Sequence, residues 1–266
     1  MNKFIAILND SVLEIRDRKI IYLYLAVTVV MVLVFALIPD SLKVNGQDLM
    51  ESGIIDDSMI TEVVARFFDG FFGFMMFLMV FGSAGLLPSY LGKGRVELVL
   101  SRPIGRFKLL SMKFIAVYLV MIAILAAVST IIFLTMSLRL GGLSGDFFFG
   151  LLFASLQFLI VYAIVFFIGV ISNSGAAAIM GYFIIRIGAG LLAGREVVYA
   201  FLGDSIWKTV LDAVYHIFPK IGEMSGNYIS ILSGRGFGDF YPVWSSLLFA
   251  AVLYLLTLLY FNRKDY

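Results

Sequence analysis

The sequence predicts an all-α integral membrane protein with six transmembrane helices, and three observations lead there. First, 61 % of the 266 residues are hydrophobic and only 14 % are charged, whereas water-soluble domains carry about 25 % charge. Second, the mean hydropathy of +1.00 excludes disorder, which needs low hydrophobicity and high net charge. Third, five runs pass without a single charge (20–38, 70–90, 114–138, 147–171 and 243–261), and a sixth, 175–193, holds only Arg186. Each is close to the ~20 residues that cross a bilayer as a helix. Membrane strands alternate apolar and polar over about 10 residues. These runs are apolar on both parities and longer.

Residues 1–19 come first. Phe4, Leu8, Val12 and Ile15 recur at helical spacing between charges, the pattern of an amphipathic helix lying in the membrane interface. The run 20–38 is expected to be a retained span. The stretch before it carries Asp10, Glu14 and Asp17, and no A-x-A-like site follows, unlike a secretory signal. An acidic loop, 39–66, leads to the second span, 67–90. The segment 92–113, GKGRVELVLSRPIGRFKLLSMK, reads as a structured basic hairpin, because Pro103 and Gly105 break any helix begun at Glu97. Spans 114–138, 147–171 and 175–193 follow.

The outer segment 194–242 is too long and too apolar for a plain loop. Asp204 or Ser205 can cap a helix running to Phe218 and ended by Pro219. Lys208, Asp212 and His216, four apart, form its polar stripe, with His216 expected to pair with Asp212. Gly222, Gly226, Gly234, Gly236 and Gly238 predict a flexible, turn-rich cap. The last span is 243–261.

Lys and Arg gather on the cytoplasmic side of membrane proteins. Twelve of the 20 lie in 1–19, 92–113 and the C-terminal tail, and seven lie in the opposite, longer loops. Both termini are therefore expected in the cytoplasm and the protein in the cytoplasmic membrane, multi-pass.

Much chemistry is excluded. With no cysteine and one histidine there is no disulfide, thiolate site or His-cluster metal site, and no cofactor is implied. Phosphate-binding, metalloprotease and nucleophile-elbow motifs are missing. The chain is expected not to be an enzyme. A net charge of +2 gives no reason for nucleic-acid binding.

Arg186 falls near mid-membrane, where an arginine costs about 2.5–3.5 kcal/mol. It either pins its span to a neighbour, with Asp69 or Asp204 as partner, or lines a substrate or gating surface. Gln157 reads as glue between helices. Ala177 with Gly181, and Gly190 with Gly194, suit close helix contact in the fifth span.

These features together resemble one family. An interfacial helix, six spans, a long outer segment before the last span and the string ELVLSRPIGRFKLL after the second are similar to permease subunits of ATP-binding-cassette (ABC) transporters of the type-2 exporter class. Many such permeases carry an acidic residue, an S-R-P or L-x-x-Pro element, a basic stretch and a lysine before the third span. Here those are Glu97, Ser101-Arg102-Pro103, Arg106, Lys108 and Lys113.

The resemblance implies that 92–113 is a coupling hairpin docking into a separate nucleotide-binding ATPase subunit. Glu97, Ser101, Arg102 and Pro103 would form its tip, with Leu100, Arg106 and Lys108 in the same docking set. It implies a connecting helix at 1–19, outer re-entrant helices in 194–242, and pairing with a second permease copy or paralogue. Membrane lipid surrounds the assembly. A pathway between subunits would pass Phe71, Phe72, Phe74, Met75 and Arg186 and carry a hydrophobic or amphipathic substrate by alternating access. A stand-alone secondary transporter, an ATPase-recruiting membrane anchor and a lipid-handling enzyme are the alternatives. Ion-driven transport without ATP would mark the first, failure of substrate to stimulate the ATPase the second, and turnover without a partner the third.

Overall fold

In lipid every backbone N–H and C=O must be satisfied internally, so each apolar run becomes a helix. The computed structural model describes residues 3–37, 43–44, 47–48, 57–90, 105–140, 145, 147–202, 206–232 and 235–263. In order these form α1 (Lys3–Asp17), α2 (Ile20–Leu37), a two-residue antiparallel pairing of β1 (Lys43–Val44) with β2 (Gln47–Asp48), α3 (Asp57–Ala84) and α4 (Leu86–Tyr90). Then come α5 (Arg106–Leu140), α6 (Phe147–Ser172), α7 (Gly175–Ala193), α8 (Arg195–Leu202), α9 (Ile206–Ile217), α10 (Ile221–Leu232) and α11 (Tyr241–Arg263).

Among the described residues, five helical stretches are long and apolar enough to cross a membrane: Glu62–Tyr90, Arg106–Leu138, Phe147–Ser172, Gly175–Ala193 and Tyr241–Arg263. A shorter apolar helix covers Ile20–Val34. The protein is thus a multi-pass, all-helical membrane protein. Five of the expected docking residues, Glu97, Leu100, Ser101, Arg102 and Pro103, lie outside the described residues, as do Asp204, Ser205 and Gly234.

Helix α6 is the centre of the bundle and packs against α3, α5, α7, α10 and α11. It is apolar on every side, as suits a helix enclosed over most of its length with the rest facing lipid, and Phe158, Ile160, Val161 and Ile164 are wholly buried. Two aromatic clusters fill the space around it. Phe133 stacks on Phe147 at 4.4 Å, with Phe68 against Phe147 at 4.9 Å. Further along, Phe114 meets Tyr162, Phe166 and Tyr254, each at 4.8 Å. Ring pairs of this kind contribute about 0.5–1.5 kcal/mol each beyond their buried area.

Two glycines allow close approach. A Cβ on Gly181 would sit 2.3 Å from Ile168 Cδ1, so this residue of the fifth predicted span does face a neighbour. Around Gly190 nothing lies within 4 Å. A Cβ on Gly175 would come within 3.0 Å of Gly85 Cα, which brings the start of α7 onto the break between α3 and α4. Ser174 caps α7, its Oγ accepting from the Ala177 N–H at 3.3 Å.

Three local expectations are corrected. The buried face of α1 is Ile7, Ser11 and Ile15, with Phe4 and Leu8 partly covered, while Val12 is exposed. Packing against α5 turns the helix away from the face that periodicity alone selects. Gly222 and Gly226 lie inside α10, not in a loose cap. Burial of Ile221, Met224 and Tyr228 overrides the ~1 kcal/mol that each helical glycine costs. His216 is bonded through Nδ1 to the Tyr241 hydroxyl, and Asp212 instead takes the Tyr199 hydroxyl and the Arg195 guanidinium (3.4 Å).

Candidate functional site

Two polar constellations interrupt the apolar bundle. The first lies where the 92–113 segment rejoins the helices. Helix α5 runs unbroken for 35 residues, about 52 Å at 1.5 Å per residue. Its first turns, with Arg106 and Lys108, therefore extend beyond the predicted span starting at 114. Lys113 closes this extension. Its side chain has no solvent contact, and Nζ donates to Asp10 Oδ2 at 3.2 Å and Glu14 Oε2 at 3.1 Å, both from α1. The ammonium also sits 4.7 Å from the centre of the Tyr90 ring.

Glu14 is the hub of this cluster. Its other oxygen accepts from the Ser89 hydroxyl and from Arg18 Nη2 at 3.4 Å. Arg18 continues to the Gly85 carbonyl at 2.9 Å, where the backbone turns between α3 and α4. A Cβ on Gly85 would fall 2.4 Å from Arg18 Nη1, so glycine makes room for the guanidinium. Burying a cation is tolerable only when it is paired and its protons are satisfied. Here two carboxylates and a ring do both. The result ties together α1, the end of the second predicted span and the start of the third.

The second constellation lies between α3, α6, α7 and α10, around a cavity of about 230 Å3. Arg186, eleven residues into α7, sits about 16 Å along its helix, near mid-membrane. It lines the cavity with Asp69 of α3 and with Tyr182, one turn earlier on its own helix. Ser225 of α10 lines the same space. Gln157 of α6 donates through Nε2 to the Ile221 carbonyl at 3.0 Å and to Ser225 Oγ at 3.1 Å, pinning α10 to the bundle. Tyr228 presses against α6 at Gly150, where any Cβ would overlap its ring.

Of the expected pathway residues, Arg186 lines this cavity together with Phe72. Phe71 and Met75 are buried in the core and Phe74 faces outward from α3, so none of these three lines it. Ser225 and Tyr228 were missed, because the glycine-rich stretch around them carries no helical signal. Among the described residues no group of acidic or histidine side chains is placed to hold a metal.

A third cluster braces the outer segment. The Arg195 guanidinium lies 3.5 Å from the centre of the Tyr215 ring. The Tyr215 hydroxyl donates to the Glu223 carboxylate at 2.7 and 2.8 Å. Burial first, then this carboxylate, pushes the hydroxyl up to about 12. Lys220, between α9 and α10, donates to the Tyr215 carbonyl at 3.1 Å and faces the Tyr215 and Tyr241 rings.

No curated protein shows significant similarity to the chain. Residues 8–266 match the family model described as ABC-2 family transporter protein. With most of its length matched and a bundle of bilayer-length apolar helices, the chain belongs to the ABC-2 family of transporter proteins, as a membrane component of an ABC transporter.

Proposed function

We propose that the chain is the membrane-spanning subunit of an ATP-driven exporter that moves an amphipathic or hydrophobic substrate across the cytoplasmic membrane. It carries no ATP-binding motif and leaves hydrolysis to a separate ATPase subunit. The observation that carries this reading is the buried Lys113 cluster. Motion imposed on the 92–113 hairpin has a stiff path into the bundle. One arm enters α5 at Arg106, and the other leaves α4 at Tyr90. Both arms are bonded to α1 through Lys113, Ser89 and Arg18. A push on the hairpin then displaces α1, the α3–α4 stretch and α5 as one body, which is what rigid-body alternation requires.

In this reading α2 is the first of six spans, both termini lie in the cytoplasm, and α9 and α10 form a re-entrant helical pair. Gln157 supports the last point. It lies ten residues into α6, about 15 Å along it, and still bonds the first turn of α10. A second permease copy or paralogue completes the pathway. The exposed faces of α3 (Phe74, Phe77, Phe81) and α7 (Met180, Ile184, Ile187) lie side by side, joined by Phe183 against Phe77 and Phe81, and suit that contact.

The test is co-expression with the cognate ATPase. Glu97→Ala and Arg102→Ala are expected to lose ATPase retention on membranes, or to hydrolyse ATP without transport, while the permease still inserts. Unchanged assembly and coupled transport in both variants would refute the docking assignment.

A further inference from the structure

Protein interiors are close-packed, and voids larger than a water molecule are few. A cavity of about 230 Å3 within a helical bundle has room for several waters, and its walls are unlike the surrounding core. An acid, Asp69, and a guanidinium, Arg186, both line it. Tyr228 is 3 % exposed and lines the same space, yet its buried hydroxyl has no hydrogen-bond partner. An orphaned hydroxyl costs about 1–3 kcal/mol, so an occupant that bonds to it would be favoured here. Gly70 and Gly73 of α3 also line the cavity, and a Cβ on either would meet nothing within 4 Å. The space is therefore held open by small residues.

The charge balance selects the ligand. The lining carries one anion and one cation, so a ligand of net charge would bring an uncompensated charge into lipid, at a cost of several kcal/mol. A ligand with both charges offsets each wall. We propose that this cavity binds a small zwitterion, an ammonium and an anionic phosphate or carboxylate a few bonds apart, either free or as the headgroup of an amphiphile. The anion lies at the Arg186 guanidinium. The ammonium lies at the Asp69 carboxylate, accepts company from the Tyr228 hydroxyl oxygen, and faces the Phe72 ring. This deepens the transporter reading by naming the chemistry it carries.

The experiment is calorimetric titration of the full-length chain in nanodiscs of anionic lipid, with four probes: phosphoethanolamine, dihexanoylphosphatidylethanolamine, inorganic phosphate and ethylammonium. Saturable binding of a zwitterionic probe about tenfold tighter than of phosphate or ethylammonium is the expected result. The tighter of the two zwitterions identifies the source, free solute or lipid headgroup. Asp69→Asn and Arg186→Gln should each weaken binding about tenfold. Gly73→Leu, which fills the cavity, should abolish it, and Leu248→Ala on the exposed face of α11 should leave it unchanged. Phosphate binding as tightly as the zwitterions would overturn the ligand class. Absence of saturable binding by every probe, or full binding by Gly73→Leu, would overturn the site. Should the charge variants fail to fold, Gly73→Leu and Tyr228→Phe decide. The ATPase is not needed for this measurement, so its outcome is separate from that of the docking assay.

Discussion

Lys113 is a cation without solvent contact, held by one carboxylate that is 9 % exposed and one that is 40 % exposed. Removing one member of a buried pair leaves the other uncompensated and costs about 3–5 kcal/mol. Lys113→Met is expected near the lower end, because Asp10 remains half in water. Thermal unfolding, with protease release of residues 1–17 as a second readout, checks it. The triple change Asp10→Asn, Glu14→Gln and Lys113→Met should recover most of the loss, since no charge is then stranded. Tyr215 gives a pH signature. Its folded-state value is raised, so it adds stability below its unfolded value of about 10, and that stability is lost as pH rises through about 12. The wild type should therefore lose more stability than Tyr215→Phe between these limits, measured by thermal unfolding against pH. At this scale the sequence was only half legible. Arg186 and Asp69 stood out as charges beside apolar runs, but the pairing of Lys113 with residues 103 and 99 positions away has no local signal. Of the residues expected on α3, Phe72 lines the cavity while Phe71, Phe74 and Met75 do not, because α3 is apolar around most of its circumference, and periodicity does not say which side opens.

The elements that carry their own signal are those that bury or face lipid over a full bilayer width. Their apolar runs and the observed helices end within a few residues of each other for α6 and α7, whereas α3 and α5 begin ten and eight residues earlier than the predicted spans 67–90 and 114–138. Those extra turns mix charged with apolar residues, so the charge-free runs do not mark them. Helix α10 was illegible for the opposite reason. Its glycines read as loop, and it is contacts with α3, α6, α7 and α11 that make it a helix. One of those glycines does no packing, since a Cβ on Gly226 would meet nothing within 4 Å. Gly226→Ala should raise stability by about 0.4–1 kcal/mol by restricting the unfolded chain, seen as a higher midpoint in thermal unfolding. A decrease would show that α10 must flex.

For the whole molecule, orientation is the property most open to a clean test. The chain has no cysteine, so a single introduced thiol reports without background. Cysteine in place of Glu97 is expected to react with a membrane-impermeant maleimide only in inverted vesicles, and cysteine in place of Glu51 only from outside intact cells. The reverse pattern would invert the topology. The Lys113 cluster has a further bearing on biogenesis. As the polypeptide leaves the ribosome, Asp10 and Glu14 emerge about a hundred residues ahead of the lysine that neutralises them. Until the third hydrophobic segment is threaded, the acidic edge of the leading helix lacks this lysine, although Arg18 and Ser89 already reach Glu14. Its docking thus marks the moment when the first half of the bundle has been correctly inserted, and a bulky fusion at the amino terminus should retard maturation rather than insertion itself.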